Sequence, residues 1–119
     1  MKSVRFYGIR DTRVEDVDVP KILEKDDVII KVKVAGICGS DISKYSKTGP
    51  HMVGEILGHE FSGEVAQVGK EVRSFKIGDR VAVCPAMPCF ECDECKKGLY
   101  SRCNNVAIIG NKELGGCFA

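Results

Sequence analysis

The chain lacks several features that would assign it quickly to a functional class. Its longest apolar runs are only a few residues, far short of the roughly 20 that cross a bilayer. Its charge is nearly balanced, with 18 Lys and Arg against 17 Asp and Glu, and no basic stripe stands out. This argues against nucleic acid or an anionic membrane as the main partner. The sequence also has no internal repeat and no apolar signal-peptide core at its start.

What remains is a chain of 119 residues with 13 glycines and many valine and isoleucine residues. That composition favours strands joined by tight turns over a helical bundle. The length suits about one small domain, and we therefore predict a mainly β domain over residues 1–119. The clearest strand is Val28–Ala35, in which alternate residues are expected on one face, namely Val28, Ile30, Val32 and Val34.

The remaining elements are predicted to be short. Strands are expected over residues 1–8, 13–19, 61–68, 80–84 and 106–109, with a turn over 111–113. Ser40 or Asp41 is expected to cap a short helix that runs to about Lys47. The last residues, 115–119, look like the start of a further strand that stops, so we expect the chain to be part of a longer polypeptide.

One stretch carries four cysteines in the spacing C-x2-C-x2-C-x7-C, namely Cys89, Cys92, Cys95 and Cys103. Few large apolar side chains lie within it, so a metal must supply the stabilisation that packing cannot. Four thiolates in one loop are typical of a closed tetrahedral zinc site, which stabilises the fold and has no open position for substrate. We therefore predict a structural zinc lobe over about residues 88–104.

Two other interpretations of this lobe stay open. Disulfides would require an oxidising compartment, whereas the odd total of seven cysteines and the absent signal-peptide core indicate the cytosol. An iron–sulfur cluster is the sharper alternative, because C-x2-C-x2-C also opens the bacterial ferredoxin motif. That motif closes with x3-C-P, but here the last gap is seven residues and Asn104 follows the fourth cysteine.

A second group of metal-binding residue types comprises Cys38 and the adjacent pair His59–Glu60, which lie in glycine-flanked turns beside predicted strands. A thiolate, an imidazole and a carboxylate or water form an incomplete shell, as in catalytic zinc sites. Ser40 could pass a proton from a metal-bound oxygen. Singly, Cys38 could be a small core residue and His59–Glu60 a surface pair, and a spacing of 21 residues alone is a weak pattern.

Four motifs together resemble one enzyme family. Residues 58–72, GHEFSGEVAQVGKEV, are similar to the zinc-containing alcohol dehydrogenase signature G-H-E-x2-G-x5-G-x2-V. Residues 36–41, GICGSD, resemble the catalytic cysteine motif of that family, and residues 78–81, GDRV, resemble its following turn. The four-cysteine lobe matches its structural zinc loop. Within the family, the motifs look most like those of polyol dehydrogenases such as the sorbitol and galactitol-1-phosphate enzymes.

The resemblance implies a GroES-like β-barrel, the N-terminal catalytic domain of a medium-chain dehydrogenase, with a zinc-binding lobe and short helices. Carried onto this sequence, Cys38 and His59 bind a catalytic zinc, Glu60 is a ligand or near neighbour of that metal, and Ser40 relays the proton. The implied reaction is the NAD- or NADP-linked oxidation of a secondary alcohol of a polyol or polyol phosphate. A cytoplasmic homo-oligomer is expected.

The sequence also departs from the family pattern. No G-x-G-x-x-G occurs, so the Rossmann domain that would bind the nicotinamide cofactor is missing and the chain alone is expected to be inactive. Ser43 stands where polyol dehydrogenases often carry a histidine, and His51 is expected to be an ordinary loop residue. Cys117 interrupts the usual G-G-F-A and, like Cys84, is expected to be a structural or incidental thiol.

Two functional alternatives remain. One is a non-catalytic zinc-binding or partner-docking module of the same GroES-like fold, which would leave the Cys38 and His59–Glu60 motifs without a purpose. The other is a zinc-free quinone-reductase relative that uses NADPH, and the presence of both metal motifs argues strongly against it.

Overall fold

The computed structural model describes residues 1–111 and 114–119. Strands account for 35% of the chain and helices for 15%, which confirms the predicted mainly β class. The turn expected over 111–113 lies partly outside the described residues. Among those residues, no helix is long and apolar enough to cross a membrane.

The first sheet is built on the opening hairpin. Strand β1 (Lys2–Gly8) pairs antiparallel with β2 (Asp11–Asp16) on one side and with β4 (Glu55–Ile56) on the other. The second strand therefore starts and ends earlier than the predicted 13–19. The side chain of Phe6 points into the core and is only 1% exposed, so β1 carries much of the packing between the hairpin and the rest of the chain.

The second sheet has β5 (Phe61–Val68) at its centre, between β3 (Val28–Ala35) and β6 (Arg80–Val83). The pairing of β3 with β5 shifts register twice, between Ile29 and Ile30 and again between Val32 and Val34. Each bulge breaks the regular alternation of side chains across the sheet. The predicted common face is therefore wrong at its end, where Val34 is 66% exposed.

Short elements complete the fold. Strands β7 (Ala86–Met87) and β8 (Ala107–Ile108) form a two-stranded ribbon at the base of the cysteine lobe. Strand β8 is shorter than the predicted 106–109, and β7 was not predicted. Within the lobe lie helix α2 (Asp93–Lys96) and a 3-10 turn (Tyr100–Arg102).

The helix after β3 starts earlier than predicted. Helix α1 spans Gly39–Ser43 and continues as a π-helical turn over Lys44–Thr48, and the residue preceding it, Cys38, is its N-cap. The expectation that Ser40 or Asp41 caps the helix is therefore wrong. The carboxylate of Asp41 instead turns back and accepts a hydrogen bond of 2.9 Å from the backbone N–H of Cys38, which satisfies a donor that the helix start would otherwise leave free.

The last residues do not form a strand, although they are hydrogen-bonded along their length. Gly116 and Cys117 donate their N–H groups to the carbonyls of Ile56 and Gly58, at 2.9 Å each. The carbonyl of Phe118 in turn accepts the N–H of Val4 at 2.7 Å. The final segment, defined as residues 114–119, therefore lies between β1 and the stretch that leads to His59, and its backbone is already paired within the chain.

Candidate metal centres

The four cysteines of the lobe converge in space. The sulfur atoms of Cys89, Cys92, Cys95 and Cys103 all lie within 4.8 Å of one another, and that of Cys89 is 3.6 Å from that of Cys103. Tetrahedral zinc with Zn–S bonds of 2.3 Å places its sulfurs about 3.8 Å apart. The donor set and its dimensions therefore fit a closed tetrathiolate site.

The local backbone brings these cysteines together. Phe90 takes a left-handed conformation (φ 59°), unusual for a residue with a side chain, and reverses the chain between the first two cysteines. Gly98 does the same (φ 77°) after α2, where glycine meets no steric penalty. Phe90 is 66% exposed, and its ring packs edge-on with that of Tyr100, with centroids 5.6 Å apart. Apolar packing inside the lobe is therefore thin.

The thiols of the lobe differ in acidity. Backbone N–H groups of Asn104 and Cys95 lower the pKa of Cys92 to about 6, which favours a thiolate near neutral pH. Backbone N–H groups likewise lower the pKa of Cys103, chiefly the one from Cys89. Burial instead raises the pKa of the Cys95 thiol. Four thiolates at this spacing would repel one another strongly, so full ionisation requires a bound cation.

The second group also converges. A ligand atom of Cys38, one of His59 and one of Glu60 lie within 4.8 Å of one another. Cys38 and His59 are partly buried, whereas Glu60 is exposed. The structure thus brings together all three residues that the sequence proposed for a catalytic metal, as an incomplete and partly open shell of the kind found where a metal also meets substrate.

The two nitrogens of His59 face different partners. Its Nε2 lies 3.4 Å from the hydroxyl oxygen of Ser40, and its Nδ1 lies 3.6 Å from a carboxylate oxygen of Asp41. A proton on Nδ1 would be stabilised by the nearby carboxylate, which leaves the lone pair of Nε2 free for a metal. Ser40 therefore lies beside the nitrogen that would bind the metal, as a proton relay requires.

Asp41 is the functional residue whose role the sequence did not reveal. Its side chain is buried. One carboxylate oxygen accepts the N–H of Cys38, and the other lies 3.6 Å from Nδ1 of His59, so a single carboxylate contacts both proposed ligands. The motif GICGSD contained the residue, but its helix-capping potential was the only signal that the sequence offered. The turn that folds the carboxylate back over Cys38 appears only in three dimensions.

Replacing Asp41 by asparagine is expected to weaken metal binding at the Cys38–His59–Glu60 cluster about 10- to 100-fold, because the partner that orients the imidazole loses its charge. The measurement is a titration with Co²⁺, a visible-absorbing substitute for Zn²⁺. Asp18→Asn, which changes an exposed aspartate remote from the cluster in sequence, is the matched control. Equal affinities in the two variants would contradict the orienting role.

The other residues singled out from the sequence lie apart from the cluster. His51 is exposed, and only its backbone N–H makes a described contact, to Glu55 at 3.2 Å. Cys84 is exposed, with its sulfur 3.7 Å from the carbonyl of Ala86. Cys117 is buried, and burial raises its pKa. Its sulfur lies so close to Gly58 that a Cβ there would approach it to 2.7 Å, so this thiol acts as packing against the GHE motif.

Comparisons with known proteins identify the relatives of this chain. The alcohol dehydrogenase GroES-like domain matches residues 24–119. The sorbitol dehydrogenase of Bacillus subtilis (strain 168) is 42% identical over 122 residues, covering 99% of this chain and 34% of that protein. The crystal structure of galactitol-1-phosphate dehydrogenase from Escherichia coli superposes with a TM-score of 0.93 at 42% identity, covering 100% of this chain and 34% of that one.

A third match comes from Sinorhizobium meliloti 1021, a protein assigned as a zinc-binding dehydrogenase and solved bound to NADP. It superposes with a TM-score of 0.81 at 34% identity, covering 97% of this chain and 33% of that one. The chain thus spans about a third of the length of the curated relatives it matches. Because the domain match covers most of the sequence and the structural matches agree with it, the chain belongs to the alcohol dehydrogenase GroES-like domain family.

Proposed function

We propose that the chain forms the catalytic zinc-binding domain of an NAD- or NADP-linked dehydrogenase that oxidises a secondary alcohol of a polyol or polyol phosphate. The convergence of Cys38, His59 and Glu60 within 4.8 Å carries this proposal. The substrate class rests on the relatives, which include a sorbitol and a galactitol-1-phosphate dehydrogenase. The NADP bound to one relative supports a nicotinamide cofactor, held by residues outside this chain, which contains no G-x-G-x-x-G.

In this proposal Cys38, His59 and Glu60 hold the metal, and a zinc ion there would act as a Lewis acid on the alcohol. Ser40 accepts the proton of the alcohol and, because the residue is exposed, passes it to solvent. Asp41 keeps the imidazole of His59 oriented. The carbonyl of Glu60 accepts the N–H of Gly36 at 2.7 Å, so the exposed carboxylate extends from an anchored backbone.

We assign residues 1–119 to one domain with the zinc lobe at about 88–104, and we propose that the lobe supports the fold without taking part in the reaction. All seven cysteines are free thiols, which suits the reducing cytoplasm. A homo-oligomer is proposed for the whole enzyme. The alternative, a non-catalytic zinc-binding module, differs in that it needs no metal at the Cys38 cluster.

A chimaera tests the function directly. Residues 1–119 are joined to the remaining two thirds of the Bacillus subtilis sorbitol dehydrogenase, and oxidation of polyols is followed through NADH absorbance. We expect about two zinc ions per chain and measurable turnover in the chimaera, and no turnover in the isolated chain. Cys38→Ala should remove one zinc ion and the activity.

The control for this experiment is Cys84→Ala, which removes an exposed thiol outside both clusters and should leave zinc content and turnover unchanged. A chimaera that folds with zinc only in the lobe and has no activity would favour the non-catalytic module instead.

A further inference from the structure

Cys38 and His59 lie on two short arcs of chain, and Glu60 directly follows the second arc. The first, called here the Cys38 arc, is residues 37–43, and the second, the His59 arc, is residues 56–59. At one end both arcs leave the same sheet, since Ala35 pairs with Phe61 and the N–H of Gly36 donates to the carbonyl of Glu60 at 2.7 Å. The β3–β5 pairing therefore fixes the two arcs relative to each other at that end.

A buried ion pair joins the other ends of the arcs. Lys44, the residue directly after the Cys38 arc, places its Nζ 3.4 Å from an Oε of Glu55, the residue directly before the His59 arc. The side chain of Glu55 is only 1% exposed and that of Lys44 only 18%. The two arcs thus form a loop that the sheet closes at one end and that this pair of charges bridges at the other.

The pair is embedded in further polar contacts. Glu55 also accepts the N–H groups of His51 and Met52, at 3.2 and 3.4 Å. Lys44 also donates to the side-chain oxygen of Asn111 at 3.4 Å. Buried ion pairs can often be replaced by apolar residues with little loss of stability, and their best-attested role is to specify one geometry among several.

We propose that the Lys44–Glu55 pair is a positioning device for the Cys38–His59–Glu60 cluster. By closing the second end of the two arcs, it holds Cys38 and His59 at ligand distance before a metal binds, so that less of the metal's binding free energy is spent on ordering the chain. This inference rests on the proposed function, because it gives the pair a purpose only where the cluster binds metal.

The test is the double substitution Lys44→Met with Glu55→Met, which removes both charges at similar side-chain length. Each variant is titrated with Co²⁺, and the absorption of the tetrathiolate lobe serves as an internal control, distinct from that of a site with one thiolate. Thermal unfolding is measured alongside. The matched control, Lys33→Met with Glu64→Met, removes the same residue types from an exposed pair 3.6 Å apart on strands β3 and β5 of the second sheet.

We expect the Lys44/Glu55 double variant to stay folded and to load its lobe normally, while its affinity at the Cys38 cluster falls about tenfold or more. Lys44→Arg, which keeps the positive charge opposite Glu55, should retain affinity within a few-fold, and so should the Lys33/Glu64 control. This separation of metal affinity from stability is what a purely structural pair would not produce.

Two results would overturn the inference alone. One is a double variant with unchanged Co²⁺ affinity at the Cys38 cluster, and the other is a double variant that no longer folds, which would make the pair a determinant of stability. A wild-type chain that binds Co²⁺ only in its lobe would overturn the inference together with the metal site of the proposed function. The failures of the two proposals are therefore distinguishable.

Discussion

Replacing Cys95 by serine is expected to release the metal of the lobe and to unfold about residues 88–104. The sulfur of Cys95 lies within 4.8 Å of the other three sulfurs. Because the residue is only 5% exposed, a water molecule cannot readily take the place of its sulfur as a ligand. Helix α2 has only four residues, far too few to be stable alone. Without the metal, little in the lobe favours the folded state.

The measurement combines metal content by elemental analysis with amide hydrogen exchange. The variant should lose about one metal ion per chain, and exchange protection should fall across the lobe while the β3–β5 pair stays protected. Cys84→Ser is the matched control, since Cys84 is exposed and belongs to neither cluster. Retention of the metal by Cys95→Ser would contradict the four-thiolate assignment. Iron in the wild-type chain would mean that the lobe holds an iron–sulfur cluster and not zinc.

The spacing of the cysteines predicted the metal site of the lobe, whereas spacing alone did not predict the Cys38 cluster. The four cysteines of the lobe lie within 15 consecutive residues, so their spacing alone restricts how they meet. Cys38 and His59 are brought together by the pairing of β3 with β5, a long-range contact that spacing does not encode. For these two residues, the prediction of a shared metal site rested on the resemblance of the surrounding motifs to a known family.

Features that depend on irregular backbone or on long-range contacts were not predicted from the sequence. The bulge of β3 between Val32 and Val34 turned Val34 outward, because the alternation of a strand holds only while its register is constant. The orienting role of Asp41 depends on a helix whose N-cap, Cys38, lies two or three residues before the caps that the sequence suggested, Ser40 or Asp41. The Lys44–Glu55 pair has no motif, since two oppositely charged residues 11 positions apart are common. Only the burial of Glu55 and the partial burial of Lys44 make the pair informative.

The structure of the final segment was also predicted wrongly from the sequence. Its apolar, glycine-rich sequence suggested a strand, but Gly116 lies directly on the backbone of the His59 arc, where a strand residue with a side chain could not fit. A Cβ on Gly116 would collide with the carbonyl oxygen of Leu57. Backbone atoms on both sides cannot move aside as a flexible side chain could.

Replacing Gly116 by alanine is therefore expected to destabilise the chain by about 1–3 kcal/mol, the usual cost of overpacking a tight contact, and to lower its melting temperature by roughly 5–15 °C. The clash would push the final segment away from the His59 arc and break the hydrogen bond of 2.9 Å from the N–H of Gly116 to the carbonyl of Ile56. His59 follows two residues after Leu57, so the Cys38 cluster should lose Co²⁺ affinity as well, whereas the lobe should not.

Gly115→Ala is the matched control, because a Cβ at Gly115 would meet nothing within 4 Å. Thermal unfolding and Co²⁺ titration of the two variants separate a general effect of alanine in this segment from the specific clash at Gly116. If both variants melted like the wild-type chain, the close packing of the final segment on the His59 arc would be wrong. If only Gly116→Ala lost stability but kept its Co²⁺ affinity, the segment would support the fold without shaping the metal site.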